Sequence, residues 1–475
     1  MAAAAFFDLD RTLIAGASGP AFSAAMKAVG LLADRTIPGE DLLFKVFDLV
    51  GENRPSMMLT RQAARLAQGW SVADAEEAGR MAAATLVHQV QPYARLLIEE
   101  HQAEGRQVVI ATTTPEHLVR PLAELLGVDA VVATRYGVRD GAFDGTIDGE
   151  FVWGKGKYRA VAEWAGAAGV DLRGSWAYSD SYYDVPLLSA VGHPTVVNPD
   201  PRMRIQATVR RWPQIYLDVP PGVPKLAGVE PQQAIFPFAR PELVRYARLH
   251  IDGTDHIPAV GPAIICGNHR SYFDPLAVGF AIAKRGRPVR FLGKKEVFDA
   301  PVVGDVARAM GGIRVERGTG SDEPLKEAAV ALRAGELVAI MPQGTIPRGR
   351  AFFDPVLKGR WGAARLAAMT RAPVIPMGLW GTEEVWPRNA KVPNVWNLLD
   401  PPDVQVRVGR PVPLTYDDPD LDTERIMSAI SALLPPEGRE WHEPTPEELA
   451  RTLPSGYAGD PDDLGHEEGR RPGVD

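Results

Sequence analysis

Residues 3–13 read Ala3-Ala4-Ala5-Phe6-Phe7-Asp8-Leu9-Asp10-Arg11-Thr12-Leu13. The apolar run has no polar alternation, as expected of a strand covered on both faces in a parallel sheet. Asp8 and Asp10 fall at its carboxyl end, where ligands bind in open parallel sheets, and continued alternation puts them on one side. Carboxylates so close repel unless a cation lies between them, and magnesium prefers such oxygen ligands. One carboxylate can attack phosphorus to give an aspartyl-phosphate, while the other protonates the leaving oxygen and later activates water. Taken alone, the same pair can simply end a strand in a turn.

Working outward, short apolar runs at 108–112, 130–134, 176–178 and 195–197 alternate with helical patterns, which predicts a Rossmann-like parallel sheet flanked by helices over residues 1–212. Residues 16–92 are rich in Ala, Leu and Met at helical spacing and are expected to form an inserted helical cap. Thr112 ends the second strand with a hydroxyl able to bond a phosphoryl oxygen. Gly154-Lys155-Gly156-Lys157 offers an ammonium at a helix start, where the dipole already favours an anion. Ser179-Asp180-Ser181-Tyr182-Tyr183-Asp184 supplies further carboxylates. Four such segments in this order resemble the haloacid dehalogenase superfamily, in its capped branch containing phosphoserine phosphatases. The resemblance implies Asp8 as nucleophile and Asp10 as general acid and base. It also implies Thr112 and Lys157 as phosphoryl ligands, Lys155 being the weaker candidate, and a Mg²⁺ site of Asp8, Asp10, Asp180 and Asp184. Phosphoserine phosphatases carry a glutamate nine residues after the nucleophile, where this chain has Ala17, so the resemblance points to a different phosphomonoester.

Residues 213–237 are dense in proline and glycine and are expected to link two domains. A second alternating pattern fills 238–435, with strands expected at 263–267, 289–292, 313–315, 337–341, 374–379 and 404–408. Directly after the first of these comes Asn268-His269-Arg270-Ser271-Tyr272-Phe273-Asp274. An aspartate five residues beyond a histidine can orient the imidazole and stabilise its charged form. With no protein nucleophile in the pattern, the simplest reaction has His269 deprotonate an acceptor hydroxyl that attacks an activated acyl group. In Ile313-Arg314-Val315-Glu316-Arg317 the two arginines lie on opposite faces, so one can grip a phosphate, and Gln343-Gly344-Thr345 forms a strand exit suited to an anion.

These segments resemble the acyltransferases that act on glycerol 3-phosphate and lysophosphatidic acid. The likeness implies catalysis by His269 and Asp274, and an acceptor phosphate held by Arg317, Gly344 and Thr345 with Lys294. That family usually has glutamate where Gln343 stands. The expected partners are acyl-CoA or acyl carrier protein as donor and 1-acylglycerol 3-phosphate or glycerol 3-phosphate as acceptor, beside a phosphomonoester at the first site. In the rival reading one unit alone is catalytic and the other is a regulatory or lipid-binding module.

A net charge of -8 over 475 residues argues against a nucleic-acid partner. Cys266 is the single cysteine, so no intrachain disulfide forms, which fits a reducing compartment. The amino terminus lacks the basic head and apolar stretch of a signal peptide, and no apolar run reaches about 18 residues. Cytoplasmic residence is expected, with peripheral contact at the inner face of the membrane implied by lipid substrates. After Pro435 the acidic, Pro/Gly-rich residues 436–475 are expected to be disordered.

Overall fold

The computed structural model describes residues 2–32, 54–225, 228–315 and 323–457. The chain divides into two compact units, Met1–Pro221 and Gly222–Asp475. Both are α/β, and each is built on a seven-stranded, largely parallel sheet.

The first sheet comprises β1 (Ala4–Phe7), β2 (Gln107–Pro115), β3 (Ala130–Arg139), β4 (Ala142–Asp148), β5 (Trp176–Ser179), β6 (His193–Val197) and β7 (Gln214–Ile215). Their order is β4-β3-β2-β1-β5-β6-β7, and only the β3–β4 pair is antiparallel. From β1 the chain builds outward through β2 and β3, then crosses back to add β5 on the other side. The β1/β5 boundary is therefore the switch point at which such sheets open a crevice. All four residues of β1 are buried. Phe6 meets Trp164 edge-on at 5.7 Å, and Phe7 stacks on Tyr178 at 4.5 Å. Full burial of a phenylalanine stabilises by roughly 1.5–3 kcal/mol, so these neighbours fasten β1 through successive, oppositely directed side chains.

Helices Gly19–Ala28, Arg54–Leu66 and Val72–Leu86 follow β1, within the span expected for a helical cap, whose residues 33–53 lie outside the described residues. Strand β4 is absent from the sequence reading. It pairs with β3 through Asp140 and Gly141, whose φ values of 52° and 79° make the two-residue turn that suits a twisted hairpin.

The second sheet comprises β8 (Arg248–Asp252), β9 (Ala263–Gly267), β10 (Val289–Lys294), β11 (Ile313–Val315), β12 (Leu337–Ile340), β13 (Val374–Trp380) and β14 (Asp403–Val408), in the order β11-β10-β12-β9-β13-β14-β8. β9 to β13 are mutually parallel, while β14 runs antiparallel to β13 and parallel to β8. Every residue of the central β9 is buried. Ile265 joins one core layer while Ile264 and Cys266 join the other. Burial pushes the Cys266 thiol well above its usual pKa.

Two expected boundaries differ from the structure. Residues 213–237 are not a free linker, because 214–215 are β7, and Glu230 and Gln232 are built into the second unit. Glu230 lies 2.9 Å from the buried Arg290 guanidinium, which Glu336 also contacts. Gln232 Nε2 donates to the Val289 carbonyl at 2.7 Å, and its Oε1 accepts the Val289 N–H at 2.9 Å. Nor is the whole of 436–475 disordered. Helix Pro446–Thr452 starts in a Thr445/Glu448 capping box, Thr452 Oγ1 accepts the Gly349 N–H at 2.9 Å, and Arg451 pairs with Glu384 at 2.6 Å. Composition reported the prolines and acids of this stretch, but not the caps and pairs that anchor it. Residues 458–475 lie outside the described residues.

Candidate active sites

At the first switch point, Asp8 follows β1 and Asp180 follows β5. The two strand ends are stitched together: the Asp8 N–H donates to the Tyr178 carbonyl at 3.0 Å, and the Asp180 N–H to Thr12 Oγ1 at 3.1 Å. Between Asp8 and Thr12 the chain turns sharply, with Arg11 in the left-handed region at φ 57°. Such a conformation costs a side-chain-bearing residue roughly 1–3 kcal/mol and persists where surrounding bonds over-determine it. Here the Arg11 N–H donates to the Gly16 carbonyl, while Gln91 Nε2 and Asn198 Nδ2 both donate to the Arg11 carbonyl. Neither Gln91 nor Asn198 figures in the sequence reading. Both lie far along the chain from the loop they clamp, so no local pattern could reveal them.

Lys157 stands in the first turn of helix Lys155–Ala168 and is 1% exposed. Its Nζ donates to Asp8 Oδ1 at 2.8 Å and to Asp184 Oδ2 at 2.7 Å. Ser179 Oγ donates to the same Asp184 oxygen at 2.7 Å, while Asp184 Oδ1 is buried with no hydrogen-bond partner among the described residues. Of the two candidate lysines, Lys157 is the one brought to the carboxylates, and Lys155 is exposed. Thr112 lies on the strand beside β1, two residues beyond the Phe7–Ile110 pairing, and its hydroxyl contacts Thr114. Asp10 Oδ1 accepts the Ser18 N–H at 2.5 Å, tying the second aspartate to the entrance of the cap.

Arg11 lies 3.3 Å from Asp180. Sequence reasoning passed over this arginine, although it sits between the two acidic motifs. Among the described residues no three acidic, histidine or cysteine side chains converge at metal-ligand spacing, and Arg11 and Lys157 stand against these carboxylates. The site nonetheless fits a divalent cation: its donors are all oxygen, one buried carboxylate oxygen is unmatched, and the carboxylates of Asp8, Asp180 and Asp184 meet two cations, Arg11 and Lys157.

Beneath the site, His101 is buried. Its Nδ1 accepts from Arg106 Nε at 2.6 Å, which leaves Nε2 to donate to the Tyr178 hydroxyl at 2.8 Å. Burial, with the Arg106 charge beside it, pulls the His101 pKa down to about 4.

In the second unit the loop after β9 carries the other site. His269 Nδ1 is 2.7 Å from Asp274 Oδ2, and Asp274 is fully buried at the start of helix Asp274–Ala283. The same oxygen accepts the N–H groups of Arg270 and Ser271 at 2.6 and 2.8 Å. Asn268 exchanges two hydrogen bonds with Leu379 on β13, and Ser271 Oγ donates to the Trp386 carbonyl. Arg270 pairs with Glu383 and is flanked by the Phe352 and Trp380 rings at 4.2 and 4.3 Å. Asn268, Ser271 and Arg270 were quoted only as neighbours of the histidine, yet they immobilise its loop.

Gln343, expected to contact substrate, accepts the His269 backbone N–H at 2.7 Å through Oε1. That bond needs only an oxygen, which explains how glutamine can stand where a glutamate is usual. Gly344 turns the chain at φ 73°, with Thr345 following it, and Lys294 ends β10. Arg314 is exposed and 3.6 Å from Asp299. Arg317 lies outside the described residues. Beside Arg270 opens a cavity of about 450 Å³, walled by Phe353, Trp380 and Glu383 and, from the carboxyl-terminal segment, by Trp441 and Thr452.

The first crevice thus presents buried carboxylates with a lysine at a parallel-sheet switch point, the equipment of a phosphoryl-handling hydrolase, and the second a histidine–aspartate base. The haloacid dehalogenase-like hydrolase family matches residues 5–189, and the family described as Acyltransferase matches residues 248–380. The chain is 41% identical over 216 residues to the inhibition of morphological differentiation protein of Streptomyces azureus, covering 44% of this chain and 76% of that protein. It is 34% identical over 215 residues to a phosphoserine phosphatase of Mycobacterium tuberculosis, covering 45% and 70%. Among solved structures, the 1-acyl-sn-glycerophosphate acyltransferase of Thermotoga maritima is 20% identical with a TM-score of 0.31, over 42% of this chain and 77% of that one. The chain belongs to the haloacid dehalogenase-like hydrolase family through its first unit and carries an acyltransferase-family domain in its second.

Proposed function

We propose that the first unit hydrolyses a phosphomonoester and that the second acylates 1-acylglycerol 3-phosphate to phosphatidic acid, with glycerol 3-phosphate as the alternative acceptor. In the first site Asp8 attacks phosphorus and Asp10 protonates the departing oxygen. Asp10 then takes a proton from the water that opens the aspartyl-phosphate. Thr112 and Lys157 hold phosphoryl oxygens. Mg²⁺, held by Asp8, Asp180 and the Asp10 carbonyl with Asp184 in support, would neutralise the phosphoryl charge. Ala17 argues for a substrate other than phosphoserine. The observation that carries this half is the buried Lys157 bridging Asp8 and Asp184.

In the second site His269 Nε2 removes the acceptor hydroxyl proton while Asp274 stabilises the imidazolium. The alkoxide attacks the thioester carbonyl of acyl-CoA or acyl carrier protein, the carbon–sulfur bond breaks, and the departing thiolate takes the proton back from His269 to leave as the thiol. Gly344, Thr345, Lys294 and Arg317 are assigned to the acceptor phosphate. The carrying observation is the 2.7 Å His269–Asp274 contact, with Asp274 fully buried and its oxygen fixed by two N–H groups. Lipid acceptors imply work at the cytoplasmic face of a membrane, and no helix among the described residues is long and apolar enough to cross one.

The test incubates the full chain with acyl-CoA, lysophosphatidic acid and Mg²⁺, following free thiol, inorganic phosphate and lipid products together. Asp8→Asn should end phosphate release and leave thiol release, whereas His269→Ala should do the reverse. Thiol release without phosphate release, or phosphate release without thiol release, would assign the silent unit a binding role.

A further inference from the structure

Helix Pro201–Arg210 of the first unit supplies no side chain to either site. It packs through Met203 and Ala207, both fully buried, and Asp200 caps it by accepting the Met203 N–H at 2.7 Å. Its opposite face carries Ile205 and Val209 with Arg202 and Arg204 at its flanks, all exposed, while the exposed Arg210, seven residues on from Met203, lies on the packed side and Arg211 follows the helix. Ile205 and Val209 are 63% and 75% exposed and, four residues apart, form one stripe. Residues 201–217 contain four arginines and no aspartate or glutamate, in a chain whose net charge is -8. None of the four pairs with a carboxylate among the described residues. Arg210 instead bonds Gln206 and lies 5.0 Å from the Trp212 ring.

A helix face that only meets water ordinarily mixes charges of both signs, as helix Val72–Leu86 does with Arg80 and Glu77. Here Arg202 and Arg204, without carboxylate partners among the described residues, flank projecting aliphatic side chains, and that combination selects among partners. Nucleic acid would use the arginines but has no place for Ile205 and Val209. An apolar protein groove would take the aliphatics and leave the flanking charges to be desolvated. An anionic bilayer uses both, phosphates for the guanidinium groups and the acyl boundary for the side chains between them.

We propose that helix Pro201–Arg210 docks the first unit on a bilayer surface rich in anionic phospholipid. The docking is independent of acyl transfer in the second unit and of the identity of the phosphomonoester. Each basic residue near such a surface strengthens binding by about fivefold, so the cluster should dominate attachment at low salt and fade as salt screens it.

The test is flotation of the full chain with vesicles of phosphatidylglycerol and phosphatidylcholine, against vesicles of phosphatidylcholine alone. The wild type should float with the anionic vesicles only, and less at high salt. Arg202→Glu with Arg204→Glu should lower the partition coefficient by at least about 25-fold, two charges at fivefold each. Ile205→Asp with Val209→Asp should also release the protein, while Arg202→Lys with Arg204→Lys should keep it bound. Circular dichroism and phosphate release from a soluble ester should be unchanged, since these side chains are exposed and outside the site. Three results would overturn the proposal: no anionic-vesicle binding by the wild type, equal binding by the charge-reversed variant, or a charge-dependent gel shift with duplex DNA while vesicle binding is unaffected. The second result would put membrane attachment elsewhere in the chain and leave the reading of the second unit intact.

Discussion

Replacing Lys157 by methionine tests the first site through the energetics of its fold. Lys157 Nζ has carboxylate oxygens at 2.8 and 2.7 Å, and both it and Asp184 are essentially sealed from water. At an effective dielectric of about 20, each contact is worth roughly 6 kcal/mol of Coulomb attraction, most of it offset by desolvation of the three groups. Methionine fills a similar volume but strands Asp8 and Asp184 without their cation. Breaking a buried pair in this way costs about 3–5 kcal/mol. For a unit of this size that lowers the melting temperature by roughly 6–20 °C. Calorimetry of the full chain should show the first unit's transition moving down while the second unit's stays, an internal control. Adding Asp184→Asn should recover part of the loss, because one stranded charge disappears. Phosphate release should fall by about 10²-fold or more. A Lys157→Met protein that melts with the wild type, or a double variant no more stable than the single one, would refute the claim that this lysine neutralises both aspartates.

His101 gives a pH signature of its own. Its folded pKa of about 4 lies below the ordinary value of 6.5, so below pH 6.5 the unfolded chain binds a proton that the folded unit refuses. Stability should therefore fall between pH 6.5 and 4, by about 1.4 kcal/mol per pH unit and about 3 kcal/mol in all, and His101→Gln should flatten that slope in guanidinium titrations. Asp274→Asn should lower acyl transfer by about 10²–10⁴-fold while phosphate release persists, measured by paired assays on one preparation. A fragment beginning at residue 238 lacks Glu230 and Gln232. It should be less stable than one beginning at 222 by about 3–5 kcal/mol, since Arg290 loses one of its two carboxylates inside the core.

How much the residues disclosed depended on how local the signal was. β1 and β9 are continuous apolar runs ending at a chemical motif, and their buried positions follow from that pattern. β8 and β4 escaped because Arg248–Asp252 and Ala142–Asp148 have mixed burial and weak apolar character, though the Asp140-Gly141 pair was a readable turn signal. The proline-rich stretch around residue 220 suggested slack chain, yet Glu230 and Gln232 find partners distant in sequence, which composition cannot weigh. At the sites, residues adjacent to a motif were legible and those that hold it were not. Gln91 and Asn198 secure the Arg11 carbonyl across long sequence separations. For Gln343 the segment suggested an anion loop but gave no sign that its carbonyl oxygen also holds the His269 backbone, 74 residues away.

The lone sulfhydryl of the chain sits inside β9, wholly covered and reluctant to ionise. Towards electrophilic dyes the folded molecule is thus chemically silent, so colour developing with an acyl-thioester donor reports liberated product rather than the catalyst. The same silence turns any cysteine introduced at the surface into a unique attachment point. A polarity-sensitive fluorophore at position 205 would then report a bilayer by its own emission, with no background to subtract.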